Sequence, residues 1–400
     1  MNIAIIDDDT FALKLLARQL EKLGVAQVQR FDRARDALAM LEGRIDAATL
    51  VFCDLQMPDM DGVEFVRNLA RIDFRGDLVL ISGEDARILQ TVRRLATAHG
   101  ICLLATLSKP ASEQQLRAVL DLNHATQAGV GARSAQPVLA GELQQAIEER
   151  QFINHYQPKV HFATGTLAGV ETLVRWDRPG HGLVYPDQFI TLAEQANLID
   201  ALTWQIVAAA LDQARRWADA GLVTPLAVNV SMDSLADLDF PDVVARLAQD
   251  AGIAPTAIVL EVTESRLMRD ARASLDILSR LRLKRIGLSI DDFGTGHSSL
   301  VQLRDMPFSE LKLDRSFVTG AHRDPALRAI VRATLTMTRE LDMAAVAEGV
   351  ETIDDWRLLR SLGCDMAQGY FIARPMAGAD LPAWLDRWQL RRESLTEQDA

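Results

Sequence analysis

The chain reads as α/β, a doubly wound (βα)5 domain followed by a TIM-like (β/α)8 barrel with one antiparallel strand. Three observations predict this. Short apolar runs alternate with amphipathic stretches along most of its 400 residues. The first series has five units and ends near residue 122, which suits an open sheet. The second, roughly 141–385, has too many units for an open sheet and fits a barrel. Between them "NHATQAGVGARSAQPVLA", residues 123–140, is small, polar and aperiodic and reads as a linker. Residues 386–400 read as a polar, frayed tail.

In the first series, "NIAII", a weaker "VQRF", "TLVFC", "LVLIS" and "ICLLA" are predicted buried parallel strands. "TFALKLLARQLEKLG" has helical spacing and stops at Gly24, and "SEQQLRAVL" opens with Ser112 and Gln115 in capping-box spacing. In strand order 2-1-3-4-5, the ends of strands one and three are neighbours at the switch point where ligands bind. Asp7, Asp8 and Asp9 follow strand one, Asp54 follows strand three, Ser82 follows strand four and Lys109 follows strand five. A hard-cation site, a nucleophilic carboxylate, a hydroxyl donor and a fixed positive charge are what phosphoryl transfer onto an aspartate requires. Singly, each has an ordinary reading, since acids often cap helices. Four in this order do not.

The second series opens with "NHYQPKVHF" and "TLAGVETLVRW", separated only by "ATG", so a hairpin and one antiparallel strand are expected. "PLAVNVS", "AIVLEVTE", "IGLSIDD", "ELKLD", "AAVAEGV" and "MAQGY" follow. Read one group per strand end, they yield Glu171, Asn229, Glu261, the pair Asp291 and Asp292, Lys312, Glu348 and Gln368. In a barrel such ends surround one site. An oxygen-only donor set favours Mg²⁺ or Mn²⁺ over zinc. Five carboxylates exceed what one ion needs, and two adjacent aspartates can bridge two. Two hard cations about 3.5–4 Å apart are a clamp for phosphodiester hydrolysis.

Composition narrows the partners. The formal net charge of −12 argues against a nonspecific grip on DNA or RNA. Cys53, Cys102 and Cys364 form no CxxC pair, so neither a disulfide framework nor a thiolate zinc site is indicated. "MNIAIIDDD" lacks a basic leader and no apolar run approaches about 18 residues, so a cytoplasmic protein without a membrane partner is expected. "GTG" at 294–296 lacks the Lys-Ser/Thr of a phosphate-binding loop, and the glycines instead suit a tight turn. His155 and His161 have no zinc-ligand geometry in an extended strand.

On "DLQMPDMDG", with the acids, Ser82 and Lys109, residues 1–122 resemble the receiver domain of bacterial two-component response regulators. The resemblance implies Asp54 as phosphoacceptor, one Mg²⁺ held by Asp7, Asp8 and Asp54, Ser82 and Lys109 as phosphoryl-sensing groups, and a cognate sensor histidine kinase. Thr106 stands where many receivers carry a switching aromatic.

On "YQP", "ETLVRW", "NVS", "EVTES", "DDFGTGHSSL", "KLD", "AEGVE" and "QGY", residues 141–385 resemble the EAL-type phosphodiesterases that cleave cyclic di-GMP to linear pGpG. The resemblance implies Glu171, Asn229, Glu261 and Asp291 on one metal and Asp291 with Asp292 on a second. Glu348 is expected beside the second metal as ligand or base, Lys312 orients or deprotonates the attacking water, and Gln368 positions water or nearby groups. Gln157 and Arg175 are expected substrate contacts. Glu264 would brace the 292–299 loop, which implies a homodimer or higher oligomer, and Asp314 and Glu351 would hold the ligands in place. Two positions depart from the family pattern. Thr172 replaces the alanine of Glu-Ala-Leu and should point away from Glu171, and His297 replaces a common tyrosine. The expected function is therefore a phosphorylation-regulated cyclic di-GMP phosphodiesterase, the alternatives being a catalytically silent receptor of that nucleotide or a phosphorelay interaction module.

Overall fold

The computed structural model describes residues 2–25, 27–42, 49–83, 92–93, 95–96, 99–131, 138–231, 237–263, 271–294 and 300–397. The chain forms two compact units, Met1–Ala135 and Gln136–Ala400.

The first unit is a parallel sheet in the order β2-β1-β3-β4-β5, from β1 (Asn2–Ile6), β2 (Val28–Phe31), β3 (Thr49–Asp54), β4 (Asp77–Ser82) and β5 (Cys102–Ser108). Alternation splits its strands between two cores. Ile3, Ile5, Phe52 and Val79 pack under helices Thr10–Lys22 and Glu113–Gly131. Ala4, Ile6, Val51 and Leu80 pack under helices Ala34–Leu41 and Gly62–Arg71. Burial on both faces explains the unbroken apolar runs in the sequence.

The expected linker differs in its first part, because the helix from Glu113 continues to Gly131. Ser112 and Gln115 form the capping box, with Ser112 N–H donating to Gln115 Oε1 at 2.9 Å. Asn123, fully buried, donates to Asp77 Oδ2 at 2.7 Å. That tertiary bond carries the helix into a stretch whose composition reads as coil.

In the second unit eight strands close a ring: β6 (Phe152–His161), β7 (Leu167–Arg178), β9 (Leu226–Asn229), β10 (Ile258–Thr263), β11 (Gly287–Phe293), β12 (Glu310–Leu313), β13 (Ala344–Ala347) and β14 (Met366–Ala367). β6 is the antiparallel member, paired so with both β7 and β14. Two short strands outside the ring were not expected: β8 (Gly182–Val184) on β7 and β15 (Met376–Ala377) on β6, both antiparallel.

The expected frayed tail is instead the end of a helix, Leu381–Glu397. Trp384 and Trp388 stack at 5.8 Å between ring centroids, and buried Trp388 donates its indole N–H to the Gly165 carbonyl at 2.7 Å. The polar residues are the outer face of a docked helix. No helix among the described residues is long and apolar enough to cross a membrane. Trp388→Ala should cost the barrel about 3–5 kcal/mol in urea unfolding; an unmoved midpoint would mean that the helix is not docked.

Candidate active site

Alternation along β6 and β7 turns Gln157 and Glu171, cross-strand partners, into the barrel. Thr172 points outward as expected, buried, with its hydroxyl lacking a hydrogen-bond partner among the described residues. Asn229 closes β9, in register with Glu261 on β10. Glu171 and Glu261 lie within their strands rather than at the ends, so they sit deeper than the sequence suggests. Glu348 and Gln368 follow β13 and β14.

Asp291 and Asp292 pose a geometric problem, because neighbouring strand residues face opposite ways. The β11–β12 register shifts between Ile290 and Phe293, and Asp292 adopts φ 55°, in the left-handed region. This irregularity lets both carboxylates meet in one cluster, Asp291 buried and Asp292 exposed. Oxygens of Glu171, Glu261 and Asp291 lie within 4.8 Å of one another, as do those of Asp291, Asp292 and Glu348. The two triads share Asp291.

Lys312, fully buried, stands among them. Its Nζ lies 2.7 Å from Glu348 Oε1, 2.9 Å from Glu261 Oε2, 3.2 Å from Asp291 Oδ1 and 3.3 Å from Glu171 Oε2. Burial alone would lower its pKa, but Glu171, Glu261 and Glu348 outweigh it and push the ammonium well above its ordinary value.

The acids divide. Burial opposes the charge on Glu171, yet the Lys312 ammonium and the amides of Gln368 and Asn229 hold its carboxyl down at about 2. Asn229 donates to Glu171 Oε1 at 2.9 Å, and Gln368 Nε2 donates to Glu171 Oε2. Burial raises Glu348 to about 8, against the pull of Lys312 and with Asp291 adding to the rise. Burial, then Asp291 and Asp314, raise Asp292 to about 6. Glu261 is pushed well up by burial and by Glu171 beside it. Such strain is what a cation would relieve, and the donor set of carboxylate and carboxamide oxygens fits a hard one.

A cavity of about 230 Å³ opens above, lined by Glu171, Asp291, Glu348, Glu351, Arg315 and Tyr370 among others. Gln157 and Gln368 also line it but are buried and largely engaged with protein. Gln157 donates to the Ala373 carbonyl at 3.0 Å and accepts from Gln368 at 3.1 Å. Arg175 is buried, its guanidinium donating to the Val174 carbonyl at 2.8 Å and lying over the Tyr185 ring at 4.9 Å. Asp314 accepts from Ser316 N–H at 2.9 Å, capping helix Arg315–Val318. Glu264 and His297 lie outside the described residues. Sequence reasoning missed Arg315, immediately beyond "KLD", and Tyr370, the last residue of "QGY", and also missed a buried Lys159–Glu310 pair below the site. Strand parity was the available signal for that pair: Lys159 is two residues from Gln157 and Glu310 two from Lys312.

In the first unit Lys109 Nζ meets Asp7 Oδ2 at 2.7 Å and Asp54 Oδ2 at 2.8 Å. Asp7 and Asp54 are buried, Asp8 is exposed, and oxygens of the three lie within 4.8 Å of one another. Burial, partly offset by Lys109, raises the Asp54 carboxyl. Ser82 is buried at the end of β4, and Thr106 is half-buried on β5.

These two acid clusters, one at a doubly wound switch point and one inside a barrel with a reversed strand, define a class: a phosphoacceptor-type domain joined to an acid-lined enzyme barrel. The chain belongs to the EAL domain family, whose model matches residues 140–375, and it carries a response regulator receiver domain matching residues 3–121. The cyclic di-GMP phosphodiesterase RocR of Pseudomonas aeruginosa is 32% identical over 94% of this chain and 96% of its own length. The bifunctional diguanylate cyclase/cyclic di-GMP phosphodiesterase MucR of the same organism is 44% identical over 61% of this chain and 36% of its own. Among solved structures, the MucR phosphodiesterase in complex with c-di-GMP matches at a TM-score of 0.57 and 44% identity, over 60% of this chain and 98% of that one. The EAL enzyme Bd1971, with cAMP and cyclic di-GMP bound, matches at 0.59 and 31% identity, over 68% and 75%. EAL phosphodiesterases depend on divalent metal, and the acid clusters here suit one.

The raised acids make a pH prediction. A carboxyl whose folded pKa exceeds its unfolded value binds its proton more tightly when folded, so its stabilising contribution is present at low pH and lost as pH rises. In chelator, the barrel should therefore lose stability from about pH 4 to pH 8 as Asp292 and then Glu348 ionise. Thermal melts should show that slope shrinking in Glu348→Gln and disappearing in excess Mg²⁺; a flat profile in chelator contradicts it.

Proposed function

We propose that the barrel hydrolyses cyclic di-GMP to linear pGpG with two divalent cations, Mg²⁺ or Mn²⁺, under control of phosphorylation at Asp54. The observation carrying this reading is the pair of carboxylate triads that share Asp291. Charge supports the count of two. Glu171, Glu261, Asp291, Asp292, Glu310 and Glu348 face Lys159 and Lys312, and six carboxylates against two ammoniums leave four negative charges, those of two divalent cations.

Glu171, Asn229, Glu261 and Asp291 would hold one cation, and Asp291 with Asp292 the other, Glu348 standing beside it. Bound there, the cations would acidify water and neutralise the scissile phosphate. Lys312 donates from below to the oxygen being moved, while Gln157 and Gln368 keep Glu171 in place. Arg175 offers its remaining N–H groups to a phosphate oxygen. A second, apolar cavity of about 280 Å³, lined by Leu173, Val174, Pro186, Ile190 and Asn229 among others, suits a nucleobase. Water's oxygen joins phosphorus, one P–O3′ bond breaks, and the departing oxygen takes a proton. Asp314 and Glu351 stay in their supporting roles. A binding-only receptor or a relay module would leave the complete donor set without a task.

The receiver would take its phosphoryl group on Asp54 from a cognate sensor histidine kinase, with Asp7, Asp8 and Asp54 holding one Mg²⁺ and Ser82 and Lys109 meeting the phosphoryl oxygens. We assign the protein to the cytoplasm, where a kinase and a nucleotide second messenger are found, and expect it to work as a homodimer or higher oligomer.

Pure protein with cyclic di-GMP and Mg²⁺ should release pGpG, and chelator should stop it. Calcium should bind yet inhibit, since its looser coordination spoils the clamp. Loss of an outer partner of a metal ligand costs about 10–100-fold, so Glu171→Ala should exceed that loss. Nucleotide left uncut by wild type would overturn the assignment. Acetyl phosphate should label wild type but not Asp54→Asn and should change turnover or oligomer size; equal rates and sizes would remove the regulatory reading.

A further inference from the structure

Below the acid triads the barrel interior holds a second buried lysine that the mechanism above does not use. Lys159 sits on β6 two residues beyond Gln157, facing inward, and its cross-strand partner Gly169 offers no side chain. It is 3% exposed, with Nζ 2.9 Å from Glu310 Oε1 and 3.5 Å from Glu261 Oε1. Glu310 lies on β12 two residues before Lys312, so both project inward from one strand.

Glu261 is fully buried and its two oxygens are treated differently. Oε2 receives Lys312 at 2.9 Å. Oε1 has no hydrogen-bond partner among the described residues, and Lys159 is the cation within ion-pair range of it. The carboxylate is therefore gripped by Lys312 at one oxygen and Lys159 at the other. Nothing intrinsic to glutamate fixes the plane of its carboxylate, because its last torsion is broad and roughly two-fold. A buried ion pair is also a poor source of stability, since desolvation offsets its attraction. The Glu310–Lys159 pair has a different use here.

We propose that Lys159, anchored by Glu310, is a positioning residue for Glu261: it holds Oε1 down so that Oε2 faces the cation site. The proposal rests on the reading of Glu261 as a metal ligand and adds two residues to the machinery. Outer partners that orient metal ligands typically contribute about 10–100-fold in affinity or activity.

The test uses the full chain carrying Lys159→Met with Glu310→Met. One charge of each sign is removed, so the barrel keeps its net charge. The barrel should melt no lower than wild type. Its Mn²⁺ affinity, measured by the loss of the free-ion electron paramagnetic resonance signal, should fall about tenfold or more. The Mn²⁺ concentration for half-maximal turnover should rise in parallel, with kcat at saturating Mn²⁺ within a few-fold. Lys159→Arg should restore most of the affinity. If the double methionine variant fails to fold, Lys159→Gln with Glu310→Gln keeps the shapes and should weaken Mn²⁺ binding at least threefold. A folded variant of either kind binding Mn²⁺ within twofold of wild type would overturn the proposal, as would failure of both to fold, which would make the pair part of the fold itself. Wild type that binds no Mn²⁺ would instead overturn the two-cation reading beneath it.

Discussion

Mutual repulsion among buried carboxylates is the constraint on which this barrel turns. Five acids of the barrel share two triads in its interior and mouth, and a sixth, Glu310, lies below. Such a set is tolerable only if positive charge is interleaved with it. Lys312 supplies part, touching four of the acids, and Lys159 supplies more beneath. Burial, with the repulsion of neighbouring acids added, pushes Glu348, Asp292 and Glu261 upward, while Lys312 and two amide donors hold Glu171 down.

The same logic appears smaller in the receiver. Asp7 and Asp54 are buried against one another, with Lys109 bonded to both. There the exposed Asp8 completes a single cluster, whereas the barrel doubles the arrangement through a shared aspartate. One lysine against three acids, and two lysines against six, leave both clusters with an excess of negative charge.

Backbone geometry does what composition cannot. The two aspartates of β11 share one cluster because the strand breaks its alternation at Asp292, φ 55°. The closing hairpin turns β6 against its neighbours and brings Gln157 opposite Glu171, where Gln368 can bond both. Each device costs regularity, and each falls where the chemistry is gathered.

Most of the architecture was legible along the chain. Apolar runs marked every ring strand, the short "ATG" turn marked the reversed one, and one polar group near each strand end marked the site. Local patterns sufficed there because strand periodicity is a local consequence of alternation. Composition misled where a distant partner decided the outcome: Asn123 bonding Asp77 keeps a coil-like stretch helical, and Trp388 reaching Gly165 docks a polar tail. The strands β8 and β15 were too short to leave a pattern. The depth of Glu261, the meeting of Asp292 with Glu348 and the grip of Lys159 belong to tertiary structure alone, because they depend on distances between strands far apart in the chain. Sequence by itself determined which oxygen donors the protein carries and in what order; only folding decided which of them meet, and at what charge.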